Sequence, residues 1–216
     1  MTQLVIFDCD GTLYRQPDCS FKKSPFWQEV KDISAKLLAD SGFPASNAEQ
    51  TVEDWVHEYK GELSQAFVDH GITDQMSYFA RTWGAIDPLK YIVDPLNPAA
   101  IEQIAKNGLK VAILSAAPLV WTRNVLESLS VLPFFEDAIW SGEGDIRKPH
   151  PESFYQVIDA MDVSSLDTTV VGNEEEMDII PARNLNLYTV CMNPYGRKTV
   201  ADHSIAHINE ICEVFR

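Results

Sequence analysis

Residues 5–14, VIFDCDGTLY, constrain the fold more than any other stretch of the chain. An apolar strand runs into Asp8, and a second carboxylate, Asp10, follows two residues later. Alternate side chains of an extended segment point the same way, so Asp8 and Asp10 can face one site while Cys9 faces elsewhere. Gly11 permits a sharp turn and close approach of a ligand. Thr12 adds a hydroxyl and a backbone N–H suited to an anion. A chain that begins this way needs partner strands beside the first one.

Those partners are readable. Short β-rich runs occur at Lys110–Leu114, Ala138–Trp140, Thr168–Val171 and Tyr188–Cys191, each followed by turn or polar residues. Helical patterns separate them. One starts at Asn97-Pro98, a cap residue followed by proline in the first turn, and stops near Gly108. Others cover 119–129, 151–161 and 177–184. Alternation of this kind predicts an α/β fold, a parallel sheet flanked by helices. Ligands of such sheets bind beyond the carboxyl ends of the strands.

Between Tyr14 and about Tyr91 the texture changes, and no strand pattern is present. Ser24-Pro25 opens a helix with Phe26, Trp27, Val30, Ile33, Leu37 and Leu38 near one face. Ser46 and Glu49 have the S-x-x-E spacing of a capping box before Val52 and Trp55. Further helical stretches follow around 64–70 and 75–83. The expected organisation is a core of residues 1–16 and 92–216 with an all-helical insert at 17–91. Aromatic residues at helical spacing in the insert read as its own core.

The segment around Asp8 resembles the D-x-D-G-T motif of the haloacid dehalogenase superfamily. Three further motifs of that family occur in order. Ser115 closes the strand VAILS. Lys148 stands in RKPHP. An acidic loop, VVGNEEEMDI, carries Gly172, Asn173 and Asp178. The resemblance spans the chain, implies a Rossmann-like core, and places the helical insert where the family carries its C1 cap, expected to close over the site and exclude water. The insert and the segment Asp87-Pro88-Leu89-Lys90-Tyr91-Ile92 resemble the pyrimidine 5′-nucleotidase type within it. That implies a small phosphomonoester substrate, with a nucleoside 5′-monophosphate as a candidate.

The resemblance also assigns roles. Asp8 is the expected nucleophile, giving an aspartyl-phosphate, and Asp10 the general acid and then base. Lys148 pairs with Asp8 and the phosphoryl oxygens, which Thr12, Ser115 and Ala116 also contact. Mg²⁺ is the expected cofactor, held by Asp8, Asp10 through its carbonyl, Asn173 and Asp178. The family usually has Asp where Asn173 stands, which implies one less negative charge at the metal. Two alternatives follow from the same residues. A haloacid dehalogenase on this scaffold would lack the second motif carboxylate, so Asp10 favours the phosphatase. A catalytically weakened phosphate-sensing module is motivated by Asn173. His150 reads as structural, while Tyr14, Arg15, Arg81 and Trp83 are candidates for substrate contact for which core or surface roles are the favoured reading.

Charge enters as an exclusion. Lys and Arg total 17 against 32 Asp and Glu, a formal net charge of −15. Such a surface repels nucleic acid polymers and anionic membranes, so a phosphate site must bring its own local positive charge. Cys9, Cys19, Cys191 and Cys212 show neither C-x-x-C pairing nor zinc spacing. With no signal-peptide pattern and no stretch long enough to span a membrane, a cytoplasmic location, a small phosphorylated metabolite as partner, and a monomer or homodimer are expected.

Overall fold

The structure is a computed structural model that describes residues 2–16, 21–135 and 137–215, so Cys19 and the start of the insert lie outside the described residues. The chain divides into two compact units, Met1–Gln16 with Leu89–Arg216, and Pro17–Pro88. In chain order, β1 (Leu4–Phe7) leads into the second unit with α1 (Pro25–Asp40), α2 (Ala45–Glu58), α3 (Leu63–Asp69) and α4 (Gln75–Arg81). The first unit resumes with α5 (Pro98–Lys106), β2 (Lys110–Leu114), α6 (Leu119–Ser128), α7 (Leu132–Phe135) and β3 (Ile139–Trp140). It ends with α8 (Pro151–Ala160), β4 (Thr168–Gly172), α9 (Ile180–Asn184), β5 (Tyr188–Met192), β6 (His203–Ile205) and α10 (Ile211–Val214).

The six strands form one sheet in the order β3-β2-β1-β4-β5-β6, with every pairing parallel. This is the parallel α/β sheet expected from the alternating pattern. β1 and β4 occupy the middle and are buried along their whole length, which is why both read as unbroken apolar or Thr/Val runs rather than alternating ones. Leu4, Ile6, Ala112, Leu114 and Val170 pack with Phe154, Val157 and Ile158 of α8 and Ala182 of α9. Phe7, of the opposite phase, meets Phe135 of α7 edge-on, ring centres 6.2 Å apart. Burying side chains of this size contributes about 1.5–3 kcal/mol each. In register, Phe7 lies beside Ile113 on one side and Val171 on the other, so the strands end together and their following residues share one edge.

The second unit is helical throughout its described residues, built on α1 against α2. Phe26, Trp27, Trp55, Phe67 and Tyr78 are all buried in it. Trp55 and Phe67 meet edge-on at 5.4 Å, and Tyr78 hydroxyl lies 2.8 Å from Ser34 Oγ, which satisfies a buried phenol. Among the described residues, no helix is long and apolar enough to cross a membrane.

Two local readings are corrected. Ser46 and Glu49 do not form a capping box: α2 starts two residues earlier than a Ser46 cap would place it, after Pro44, and Ser46 Oγ instead donates to Asn47 Oδ1 at 3.0 Å. The helix expected over 177–184 is a π turn at Glu175–Ile179 followed by α9. Pro181 lacks an N–H and its ring crowds the carbonyl four residues back, so an α-helix cannot run through it. The N–H groups of Asp178 and Ile179 both turn to Glu174 O, at 2.9 and 3.2 Å. The short elements β6, α7 and α10, three or four residues each, carry too little pattern to read in advance.

The caps give a test. Ser24 Oγ accepts the Trp27 N–H at 3.1 Å and so caps α1. Ser24→Ala is expected to lower the unfolding free energy by about 1 kcal/mol. Ser46→Ala should leave it within about 0.5 kcal/mol, both read by urea denaturation.

Candidate active site

The residues that carry chemistry sit just past the strand tips. Asp8 follows β1, and its N–H is held by Val171 O at 2.9 Å. Ser115 follows β2, with its N–H on Trp140 O at 2.9 Å. Asn173 follows β4, and Lys148 comes from the loop between β3 and α8. After Asp8 the chain turns at once. Thr12 and Leu13 donate to Cys9 O at 3.3 and 3.0 Å, and Gly11 adopts φ +83° to allow it. A Cβ on Gly11 would stand 2.5 Å from the Asn173 amide, so a larger residue there would also displace that side chain.

Lys148 is the centre of the cluster. Lys148, 4% exposed, donates from its ammonium to Asp8 Oδ1 at 2.6 Å and to Asp178 Oδ1 at 2.7 Å. Asp178, 1% exposed, accepts the backbone N–H groups of Asn173 and Glu174 on Oδ2, at 3.1 and 3.0 Å. The π turn therefore delivers a carboxylate that ties the loop after β4 to Lys148. Ser115 is buried, and its Oγ accepts the Ala117 N–H at 3.0 Å, which leaves the hydroxyl proton to donate elsewhere. Ala116, beside it, is exposed.

Thr12 fixes the orientation of Asn173. The Thr12 hydroxyl has one proton and gives it to Asp8 Oδ2 at 2.8 Å. The Asn173 atom 3.1 Å from Thr12 Oγ1 must then be a donor. With its amide nitrogen turned that way, Asn173 also donates to Asp8 Oδ2 and to the Asp10 carbonyl, each at 3.1 Å. The Asp10 carboxylate is held separately. Its Oδ1 accepts Tyr14 OH at 2.5 Å and Trp121 Nε1 at 2.8 Å.

Three carboxylates, Asp8, Asp10 and Asp178, thus gather around one ammonium. Burial pushes Asp8 up to about 7; Lys148 opposes the shift, while Asp178 and Asp10 add to it. Asp10 is raised by burial, against the hydrogen bonds from Tyr14 and Trp121. Burial would lower Lys148, but Asp178 and Asp8 outweigh it and the net shift is upward. The cluster has a surplus of negative charge that a cation would relieve. Among the described residues, no three His, Cys, Asp or Glu side chains converge as a ready metal cage. The oxygens that do converge are Asp8 Oδ2, the Asp10 carbonyl and, with its amide turned round, Asn173 Oδ1.

Asp8, Thr12, Lys148, Asn173 and Asp178, singled out from the sequence, are in direct contact here. Ser115 and Ala116 stand at the neighbouring strand tip. His150 caps α8, accepting the Glu152 N–H at 3.2 Å, and Arg15 pairs with Asp94 at 2.8 Å. Two contacts escaped the sequence reading. Tyr14 is four residues from Asp10 across the turn after β1, a spacing that could have been noticed. Trp121 lies 111 residues away, and nothing local in the sequence links them.

Residues 2–186 match the family described as haloacid dehalogenase-like hydrolase. A glyceraldehyde 3-phosphate phosphatase of Methanocaldococcus jannaschii is 24% identical over 234 aligned positions, covering 100% of this chain and 98% of that protein. Two crystal structures share the fold over 100% of this chain and 98% of theirs, each with a TM-score of 0.68. One is a phosphatase from Thermococcus onnurineus at 21% identity, the other a 2-haloacid dehalogenase from Pseudomonas syringae at 18%. The fold alone therefore does not separate the two chemistries.

Removing Lys148 leaves two buried carboxylates without their shared counter-charge. Lys148→Met is expected to cost about 3–5 kcal/mol of stability. Without the ammonium, Asp8 rises still further above its unfolded value. A group raised in the folded state stabilises it at low pH and loses that contribution as pH climbs through the folded value. The deficit of Lys148→Met, read by urea denaturation, should therefore be larger at about pH 8 than at about pH 5.

Proposed function

This chain belongs to the haloacid dehalogenase-like hydrolases, and from that premise we propose that it hydrolyses a small phosphomonoester through an aspartyl-phosphate on Asp8. The observation that carries this reading is the pairing of Asp8, held by Lys148 at 2.6 Å, with a second carboxylate, Asp10, on the same turn. A nucleophile and a proton donor are both needed to expel an alcohol. A haloacid dehalogenase has no alcohol to protonate and no use for Asp10.

In the first step an Asp8 oxygen bonds to phosphorus as the bond from phosphorus to the ester oxygen breaks, and Asp10 gives its proton to that oxygen. In the second, water attacks the phosphorus of the aspartyl-phosphate, Asp10 takes a proton from the water, and the bond to Asp8 breaks. Alcohol and inorganic phosphate leave, and Asp10 is protonated again. Lys148 neutralises Asp8 and the phosphoryl oxygens. The Ser115 hydroxyl and the Ala116 N–H are the proposed donors to those oxygens, while the Thr12 N–H stays on Cys9 O. Asp178 keeps the Lys148 ammonium in place.

Mg²⁺ is the proposed cofactor. The donors suit it: one carboxylate oxygen of Asp8, the Asp10 carbonyl and the Asn173 amide oxygen are hard ligands, and Mg²⁺ keeps several waters of its own. Asp178, expected from the sequence as a further ligand, has both oxygens engaged by protein donors and would contribute chiefly its charge. When bound, the ion supplies positive charge to the phosphoryl oxygens and screens Asp8 from an anionic substrate. Its binding requires the Asn173 amide to turn its oxygen inward.

The substrate range we propose has two sources. The Asp87–Ile92 segment and the helical unit resemble nucleotidases, which suggests a nucleoside 5′-monophosphate. The archaeal relative named for glyceraldehyde 3-phosphate suggests a short sugar phosphate. The substrate is a small metabolite in either case, and the formal charge of −15 disfavours polymeric nucleic acid.

A screen of phosphomonoesters of both kinds, with and without Mg²⁺, tests the reading. Asp8→Asn is expected to abolish phosphate release, and Asp10→Asn to lower kcat by about 10²–10⁴-fold. Halide release from haloacids without Mg²⁺ would overturn the assignment. Asn173→Asp restores one negative charge at the metal and is expected to lower the Mg²⁺ concentration for half-maximal activity. An unchanged requirement would show that Asn173 does not touch the ion.

A further inference from the structure

Two of the largest fully buried side chains among the described residues end on one oxygen atom. Tyr14 and Trp121, each 1% exposed, donate to Asp10 Oδ1 at 2.5 and 2.8 Å. They reach it from different elements, Tyr14 from the turn after β1 and Trp121 from the first turns of α6. An indole N–H can only donate, so Oδ1 must be an acceptor in every protonation state of the carboxyl group. The Tyr14 hydroxyl gives its one proton to the same oxygen. A carboxylate oxygen has about two lone-pair sites, and both on Oδ1 are taken. A proton on Asp10 therefore goes to Oδ2 for as long as both donors hold Oδ1.

From this geometry we infer that Trp121 and Tyr14 are positioning residues for proton transfer: they decide which oxygen of Asp10 carries the proton and fix the plane from which it is delivered. The inference rests on the phosphatase reading of Asp10. Its consequence is a substrate preference. A fixed acid helps most when the departing oxygen is strongly basic, as in the phosphate of an aliphatic alcohol or a sugar hydroxyl. It helps little when the leaving group departs readily as an anion, as a nitrophenolate does. The chain is thus built for alkyl rather than aryl or acyl phosphates. Trp121 also ties this acid to the phosphoryl-binding turn, because α6 begins four residues after Ser115.

The measurement is kcat and KM for glycerol phosphate and for p-nitrophenyl phosphate, in the wild-type chain, Trp121→Phe and Tyr14→Phe. Phe keeps much of each ring and removes the donor. General acid catalysis contributes about 10²–10⁴-fold, and a misplaced acid forfeits part of that. The ratio of kcat on the alkyl ester to kcat on the aryl ester should fall by about tenfold or more in each variant, with little change in either KM. Tyr14→Phe deletes a single hydroxyl and serves if Trp121→Phe does not fold. Equal losses on both esters, or a rise in KM with an unchanged ratio, would overturn the inference and leave both residues as packing alone. A wild-type chain inactive on both esters would overturn the phosphatase reading itself and this inference with it.

Discussion

One ammonium group holds the site together. Lys148 is shut away from solvent between Asp8, at the tip of one central strand, and Asp178, in the turn after the other. Either carboxylate alone would be expensive to bury, and so would the lysine. Each is tolerable only because the others are present. The loop after β4, the loop before α8 and the tip of β1 are thereby made to agree on a single arrangement. The sheet supplies the other half of that agreement, since its parallel register ends β1, β2 and β4 at one edge.

Much of this was legible in the sequence, for reasons that differ from residue to residue. The strands showed because a sheet covered on both faces demands uninterrupted apolar or β-branched runs. Asn97 and Ser24 marked helix starts because each is followed by proline in the first turn, and both caps are present. Ser46 misled because its spacing to Glu49 imitates a capping box, yet the helix had already begun at Ala45. Pro181 should have warned against a straight helix over 177–184. The resulting π turn is what lets the Asp178 carboxylate reach both Lys148 and the amides of Asn173 and Glu174.

The contacts around Asp10 mark a different limit. Motif spacing speaks about residues close in sequence, or about residues a family repeats in order. Trp121 is neither, and its indole reaches Asp10 only because β1 and β2 are neighbours and α6 folds back from the end of β2. By burial it is an ordinary core residue. Only the hydrogen bond distinguishes it. Asn173 is the converse case, visible as an oddity in sequence but uninterpretable until its neighbours were known. The single proton of Thr12 decides which way its amide points.

The seclusion of Lys148 bears on how a substrate arrives. Its charge is matched by the carboxylates around it, and the formal net charge of −15 presents a net negative field to an incoming dianion. Encounter is then slowed rather than steered. Added electrolyte, whose screening length is about 10 Å at 0.1 M, should quicken capture. An enzyme with a cationic funnel behaves in the opposite way, losing speed as ionic strength grows.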